Sequence, residues 1–438
     1  MRDAIFIALT GLLLMIALAR PFVGVLVWSW ISFMNAHRLV WGVAQTMPWA
    51  TMAFAATLVG CILAREPRSF RPNALMVLLV VFAIGITVTT LTAIGPVDEA
   101  WAKWDRTVKV IAGLLLTAVL LTERWRIHAL VWLMVISIGY FGVRGGLFTI
   151  ATGGAFRVLG PPDTMIADRN HVAVAMLVAL PLMNWLRMHS RHFVVRAGLV
   201  AAMVLTLFGT IGTQSRGALV AMVAVAGMFW LRSKGKLVSG IAVVLAVGSV
   251  IAFMPQNWVE RMGTIETFEQ DASAMGRLRI WEAALRVALA RPFTGGGFRA
   301  VYDQGVVDAH APGVIARATH SIYFEVLGEH GFVLFGVWLA MIAVGVIYTR
   351  QIIAASRGRP DLAWAGDLAR MAQVSIVAYL VGGAFLSLAY WDMFWTLMVV
   401  LGATHALVRA SASAPAAARA GTGEADPAWH RGKPARAA

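Results

Sequence analysis

His320 heads the run His-Ser-Ile-Tyr323 at the edge of a long apolar stretch. A neutral imidazole, with an ordinary pKa of about 6.5, accepts a proton at neutral pH and can serve as a general base. The same residue type also caps helices and hydrogen-bonds at interfaces, and His171, His310 and His330 are rivals by type. Arginine is the second chemical signal. Arg216 lies in Gly-Thr-Ile-Gly-Thr-Gln-Ser-Arg-Gly between two apolar stretches, and Arg277 and Arg279 lie in Gly-Arg-Leu-Arg-Ile-Trp281. Guanidinium presents a planar fork of donors that matches phosphate oxygens, whereas an ammonium acts as a point charge. The bias towards arginine therefore points to an anionic, phosphate-bearing ligand.

Metal chemistry has weaker support. No HExxH pattern occurs, and Glu269 with Asp271 lacks an obvious third ligand. No Walker loop is present, and Gly295 to Gly297 is too short a signal for nucleotide binding. The expectation is a metal-independent site without a cofactor.

The elements that must position these residues follow from composition. Of 438 residues, 59% are hydrophobic and 13% charged, with a mean hydropathy of +0.74. Soluble domains carry about a quarter charged residues, so the chain reads as an all-α, polytopic transmembrane bundle rather than a secreted enzyme, a cytosolic dehydrogenase or a disordered scaffold. Cys61 is the sole cysteine, which excludes an intrachain disulfide and a thiolate metal site. The net charge of +15 reads as loop retention on the cytoplasmic side, not as nucleic-acid binding.

Apolar runs at 46–63, 74–94, 107–121, 127–143, 169–186, 194–212, 216–231, 236–253, 322–349, 369–389 and 391–408 are candidate spans. Residues 4–34, split at Arg20-Pro21, add a hairpin or one broken helix, giving about 12–13 spans, and read as a retained segment rather than a signal peptide. Basic connectors around Arg65 to Arg71, Arg124 and Arg126, Arg187 to Arg196, Arg232 to Lys236 and Arg350 to Arg370 belong inside. Outside lie 35–45, 95–106, 144–168, the turn at Thr213 to Arg216, and 255–321. These outer stretches hold Arg38, Arg106, Arg144, Arg157, Arg169, Arg216, Arg261, Arg277, Arg279, Arg286, Arg291, Arg299 and Arg317 against only Lys103 and Lys109. Within 274–290, Leu278, Trp281, Leu285 and Leu289 form one stripe, predicting a surface amphipathic helix. Arg291-Pro292 ends it, and Gly295 to Gly297 makes a turn that should permit its movement. A short helix runs from Ser321 to Gly331. The organisation expected is a membrane region over 1–190, a membrane core over 191–408 that includes the outer segment 255–321, and a disordered inner tail over 409–438.

Ser215-Arg216-Gly217, then Gly276-Arg277-x-x-Ile280-Trp281 with Pro292 and Gly295-x-Gly297, then His320-Ser321-x-Tyr323 with Gly331, resemble the O-antigen ligase and polymerase superfamily in residues and order. The front half resembles the O-glycosylation ligases associated with exosortase A, through Arg20-Pro21 to Trp30, Met34 to Arg38, Gly139 to Gly146, and Gly153-Gly154 through Arg157 to Pro161. The resemblance implies a multi-pass protein of the bacterial inner membrane with its active site on the periplasmic side. It implies an inverting glycosyltransferase that joins a glycan from an undecaprenyl pyrophosphate donor to a hydroxyl of a protein or lipid acceptor. His320 is then the catalytic base, Arg216, Arg277 and Arg279 bind pyrophosphate, and Arg144, Arg157, Arg169, His171 and Tyr323 are candidates for substrate binding. Arg144 stands where that family often carries lysine, so a role needing an amine is not available there. Two alternatives remain open: a polysaccharide polymerase using the same donor, and, from another class, an anion or polysaccharide-related transporter.

Overall fold

The computed structural model describes residues 2–70, 72–232, 235–237, 240, 248 and 272–413, and among them every regular element is helical. In hydrocarbon the backbone must satisfy its own hydrogen bonds, and a helix does so within one segment. Buried threonines in these helices follow the same logic: Thr57, Thr117, Thr149 and Thr404 each donate to the carbonyl four residues back, at 2.6 to 2.8 Å.

The order is α1 (Arg2–Ala19), α2 (Pro21–Met34), α3 (Trp49–Leu63), α4 (Ala74–Leu91), α5 (Val97–Leu120), α6 (Arg124–Ala151), α7 (Arg169–His189), α8 (Phe193–Gly212) and α9 (Arg216–Arg232). After the outer segment begins come α10 (Ala272–Ala290), α11 (Gln304–His310), α12 (Ile322–Ala355), α13 (Ala363–Gly383) and α14 (Asp392–Ser413). Among the described residues, seven helices, α1, α4, α6, α7, α8, α12 and α14, are long and apolar enough to cross a membrane, and α2, α3 and α9 are apolar but shorter. Most of the expected run 236–253 lies outside the described residues, as do Arg261, Glu269 and Asp271. Of the expected tail, 409–413 continues α14 as helix, and 414–438 lies outside the described residues.

Arg20-Pro21 breaks a hairpin, not a kinked rod, because the rings of Phe6 and Trp30 meet at 5.6 Å and Asp3 accepts from the Ala44 N–H at 3.2 Å. α7 forms the centre, with Val172 to Met183 buried, while α1 and α4 leave much of their surface outward. α6 packs closely on α8 where Gly146 faces the Leu205 carbonyl, an approach that any side chain would block.

Several expectations require correction. α6 runs on to Ala151, so Arg144 projects from a helix and the loop is only 152–168. α5 begins at Val97, so most of the expected loop 95–106 is helical, including Lys103. The face of α10 that packs on the protein is Ile280, Ala283, Ala284 and Val287, whereas Leu278, Leu285 and Leu289 are exposed. Small residues let α10 approach α12 closely at Gly328, where a Cβ would stand 2.9 Å from that of Ala284. Gly295 to Gly297 do not form a loose hinge. The N–H groups of Gly296 and Gly297 donate to the carbonyls of Gly328 and Glu329 at 2.9 and 2.8 Å, and Ile94 donates to Gly296 at 2.9 Å. The expected Ser321 to Gly331 helix is present as the first part of α12, which breaks at Gly331 with φ 73°.

Candidate active site

His320 precedes α12 with φ 47°, in the left-handed region, and is half-buried. Its backbone N–H donates at 3.0 Å to the hydroxyl of Ser387, in the connector between α13 and α14. Burial lowers the imidazole pKa below its ordinary value, and the charges of Arg277, His171 and Arg317 push the same way against the opposing pull of Asp168. Three elements thus converge on one imidazole: α10 through Arg277, the loop before α12 through Arg317, and the start of α7 with its cap through His171 and Asp168.

Local structure explains each placement. Asp168 caps α7 by accepting from the N–H of Asn170 at 2.8 Å. Burial works against its charge, but the Asn170 N–H together with His171 and Arg169 holds the Asp168 carboxyl below its ordinary value. Gly276 lacks a side chain where the Arg317 guanidinium lies, so Arg317 and Arg277 share the start of α10. Trp281 on α10 donates from its indole to the Thr319 carbonyl at 2.6 Å and stacks on Phe324 at 5.1 Å, which fixes the chain entering His320.

Arg216 opens α9 directly after the turn at Gln214 (φ 52°). A side chain on Gly217 would come within 3.1 Å of the Phe385 Cβ, so this start abuts the connector that also carries Ser387. Arg157 is exposed and donates to the Gln214 side chain at 3.3 Å, which places it beside the same turn. Arg169 begins α7 next to Asp168. Arg279 is exposed on α10, two residues beyond Arg277. Arg144 is exposed on α6. Tyr323 points elsewhere: its hydroxyl donates to the Leu380 carbonyl at 2.9 Å, tying α12 to α13.

Behind this cluster lies a charged core that sequence reasoning passed over. Lys103 Nζ donates to Glu325 at 2.9 Å and to both carboxylate oxygens of Glu329 at 2.8 and 3.1 Å. Tyr390 donates its hydroxyl to Glu329 at 2.7 Å, the Arg299 N–H donates to Glu329 at 2.8 Å, and the Ala389 N–H donates to Glu325 at 3.1 Å. The spacing of Glu325 and Glu329, one turn apart on α12, was the available signal. Arg317 and Ser387 carried no comparable signal.

No curated protein matches the chain. Residues 1–191 match a family of unknown function (DUF5935). Residues 201–339, which hold Arg216, Arg277 and His320, match the family described as O-antigen ligase, which suggests a glycosyltransferase-like enzyme of the ligase or polymerase type. That match, on the stretch that builds the arginine and imidazole cluster, supports placing this multi-pass membrane protein in the O-antigen ligase superfamily.

Proposed function

We propose that the chain is a lipid-dependent glycan ligase of the bacterial inner membrane, acting on its periplasmic face and closest in kind to the exosortase-associated O-glycosylation ligases. The observation that carries this reading is the meeting of a pKa-lowered His320 with Arg277 and Arg317 in a stretch related to O-antigen ligases. The donor is a glycan on undecaprenyl pyrophosphate, and the acceptor is a hydroxyl on a protein or on a surface lipid.

His320 takes the proton of the acceptor hydroxyl, and the freed oxygen attacks the anomeric carbon. The bond from that carbon to the pyrophosphate oxygen breaks, and the electron pair leaves with the lipid pyrophosphate. Arg216 and Arg277, with Arg279 nearer the rim, hold the negative charge that gathers on the leaving group. Attack opposite the leaving group inverts the anomeric centre. No metal and no nucleotide sugar enters the step. Arg157, Arg169 and His171 line the approach, with Arg144 further along it.

The test is reconstitution in vesicles with lipid-linked glycan extracted from the host and a candidate acceptor. Glycan joined to acceptor, with release of undecaprenyl pyrophosphate, is the expected result. Lengthened lipid-linked glycan instead would assign the chain as a polymerase, and glycan accumulation inside vesicles without a new linkage would assign it as a transporter.

A further inference from the structure

A cavity of about 410 Å³ sits apart from His320, bounded by α2, α3, α5, the loop residues Asp163 to Ile166, and the start of α14. Its size falls in the range of small-molecule sites. None of the residues placed above in the transfer chemistry lines it.

Its chemistry is mixed in sign. Lys109 pairs with Asp105 at 2.6 Å and Arg38 reaches Asp163 at 3.8 Å, while Arg106 has no ion pair or hydrogen bond among the described residues. Asp392 lies buried at the floor and accepts from the Ser32 hydroxyl. The Nδ1 atom of His37 is buried with no hydrogen-bond partner among the described residues. Burial and the Arg38 charge lower His37 to about 4, so it is neutral near pH 7.

A free phosphate would meet the carboxylates of Asp105, Asp163 and Asp392 at close range and be repelled. A saccharide would not. Its hydroxyls donate to carboxylates and accept from guanidinium and imidazole N–H groups, so one ligand satisfies both signs. The apolar ring of Phe54 supplies the flat face that a sugar ring needs, beside these polar groups.

The cavity shares two walls with the candidate active site. Thr164 to Ile166 line it, and the same segment runs into Asp168 and His171, whose charges act on His320. Trp391 and Asp392 line it, and the same connector holds Ser387 against His320. We infer that this cavity is a saccharide-binding subsite that seats one or two sugar units of the glycan close to its reacting end. The inference rests on the ligase reading for the glycan's role, but sugar binding can be measured without transfer.

The experiment uses the full-length protein in lipid nanodiscs and saturation-transfer NMR with three neutral probes: maltose, chitobiose and cellobiose. At least one should show saturation transfer in the native protein. Thr51→Trp fills the cavity from an exposed position on α3, and Arg106→Ala removes the unpaired cation; each should weaken that binding at least tenfold, while His320→Ala leaves it intact. Absence of transfer to all three sugars overturns the subsite, as does undiminished binding in Thr51→Trp. Inorganic pyrophosphate bound in an Arg106-dependent way, with no sugar bound, overturns it as well. Sugar binding without any glycan transfer would sink the ligase reading alone.

Discussion

The N–H of His320 donates to the Ser387 hydroxyl at 3.0 Å and pins a residue whose φ of 47° costs a side-chain-bearing residue about 1–2 kcal/mol. Backbone strain held at a reactive side chain gives two separable expectations. His320→Ala and His320→Gly should both slow transfer roughly 10²-fold to 10⁴-fold, the range for losing a general base. Only glycine relieves the strained φ, so the glycine variant should melt above the alanine variant. Native turnover in purified His320→Ala would end the assignment, and His310 would then be tried.

Ser387→Ala removes the anchor without touching the imidazole. A hydrogen bond of this kind contributes about 0.5–1.5 kcal/mol, so the variant should stay folded. Turnover should fall several-fold while donor affinity is unchanged, which reads out as a drop in kcat with KM preserved. A loss that disappears when the rate is expressed per folded molecule would mean that Ser387 only supports folding.

Arg216→Lys and Arg277→Lys retain charge and lose the planar fork. Each should lower kcat/KM by at least tenfold, with donor binding partly kept. Arg277→Lys also leaves the positive charge near His320, so the pH profile should hardly move. Full activity in both variants would remove arginine from the handling of pyrophosphate.

The pH dependence has a defined sign. Burial and then Arg277, His171 and Arg317 lower the His320 pKa, so the base is neutral and active at pH 7 and the rate falls only as pH drops through a value below about 6.5. Arg277→Gln should move this acidic limb upward, and Asp168→Asn, which removes the one opposing charge, should move it downward. The unfolded chain takes up the proton first as pH falls through about 6.5, so stability drops there and recovers as pH rises. An acidic limb unmoved by both substitutions, followed by rate measurements from pH 4 to 8, would show that a different group titrates.

What was legible in the sequence divides along physical lines. The Gly331 break of α12 was readable because a glycine at positive φ acts locally, and the helix begins after Ser321 as expected although the Ser321 side chain makes no capping hydrogen bond. So was the Arg20-Pro21 break, although the hairpin depended on Phe6 reaching Trp30 across the fold. The face of α10 was not. An apolar stripe such as Leu278, Leu285 and Leu289 marks the core in water, but in a bilayer lipid accepts leucine as readily as protein does. The packed face instead used Ala283 and Ala284 to admit α12. Arg144 was misplaced because a helix can continue past its apolar run when one side is exposed. Lys103 could not be paired with Glu325 and Glu329, more than 220 positions away, from one chain's spacing.

That buried triad carries the final prediction. The Lys103, Glu325 and Glu329 side chains are 20%, 6% and 3% exposed, and together they join α5 to α12. Through Arg299 and Ala389 they also hold the outer segment and the connector that bears Ser387. Lys103→Met would leave two carboxylates one turn apart, buried and without their cation. Breaking such a site from one side costs about 3–5 kcal/mol, and the variant should melt far below the native protein. Lys103→Met with Glu329→Gln removes one charge of each sign and should recover part of that loss, because the amide oxygen can still accept from the Arg299 N–H while the amide NH2 donates to the Tyr390 hydroxyl, the two groups that now meet separate carboxylate oxygens. If the triad is scaffold, the recovered double variant should transfer glycan within several-fold of the native rate per folded molecule. A stable double variant with turnover reduced 10²-fold or more would place the triad in the chemistry, and a Lys103→Met protein that melts like the native one would show that the ion cluster contributes nothing to holding the site.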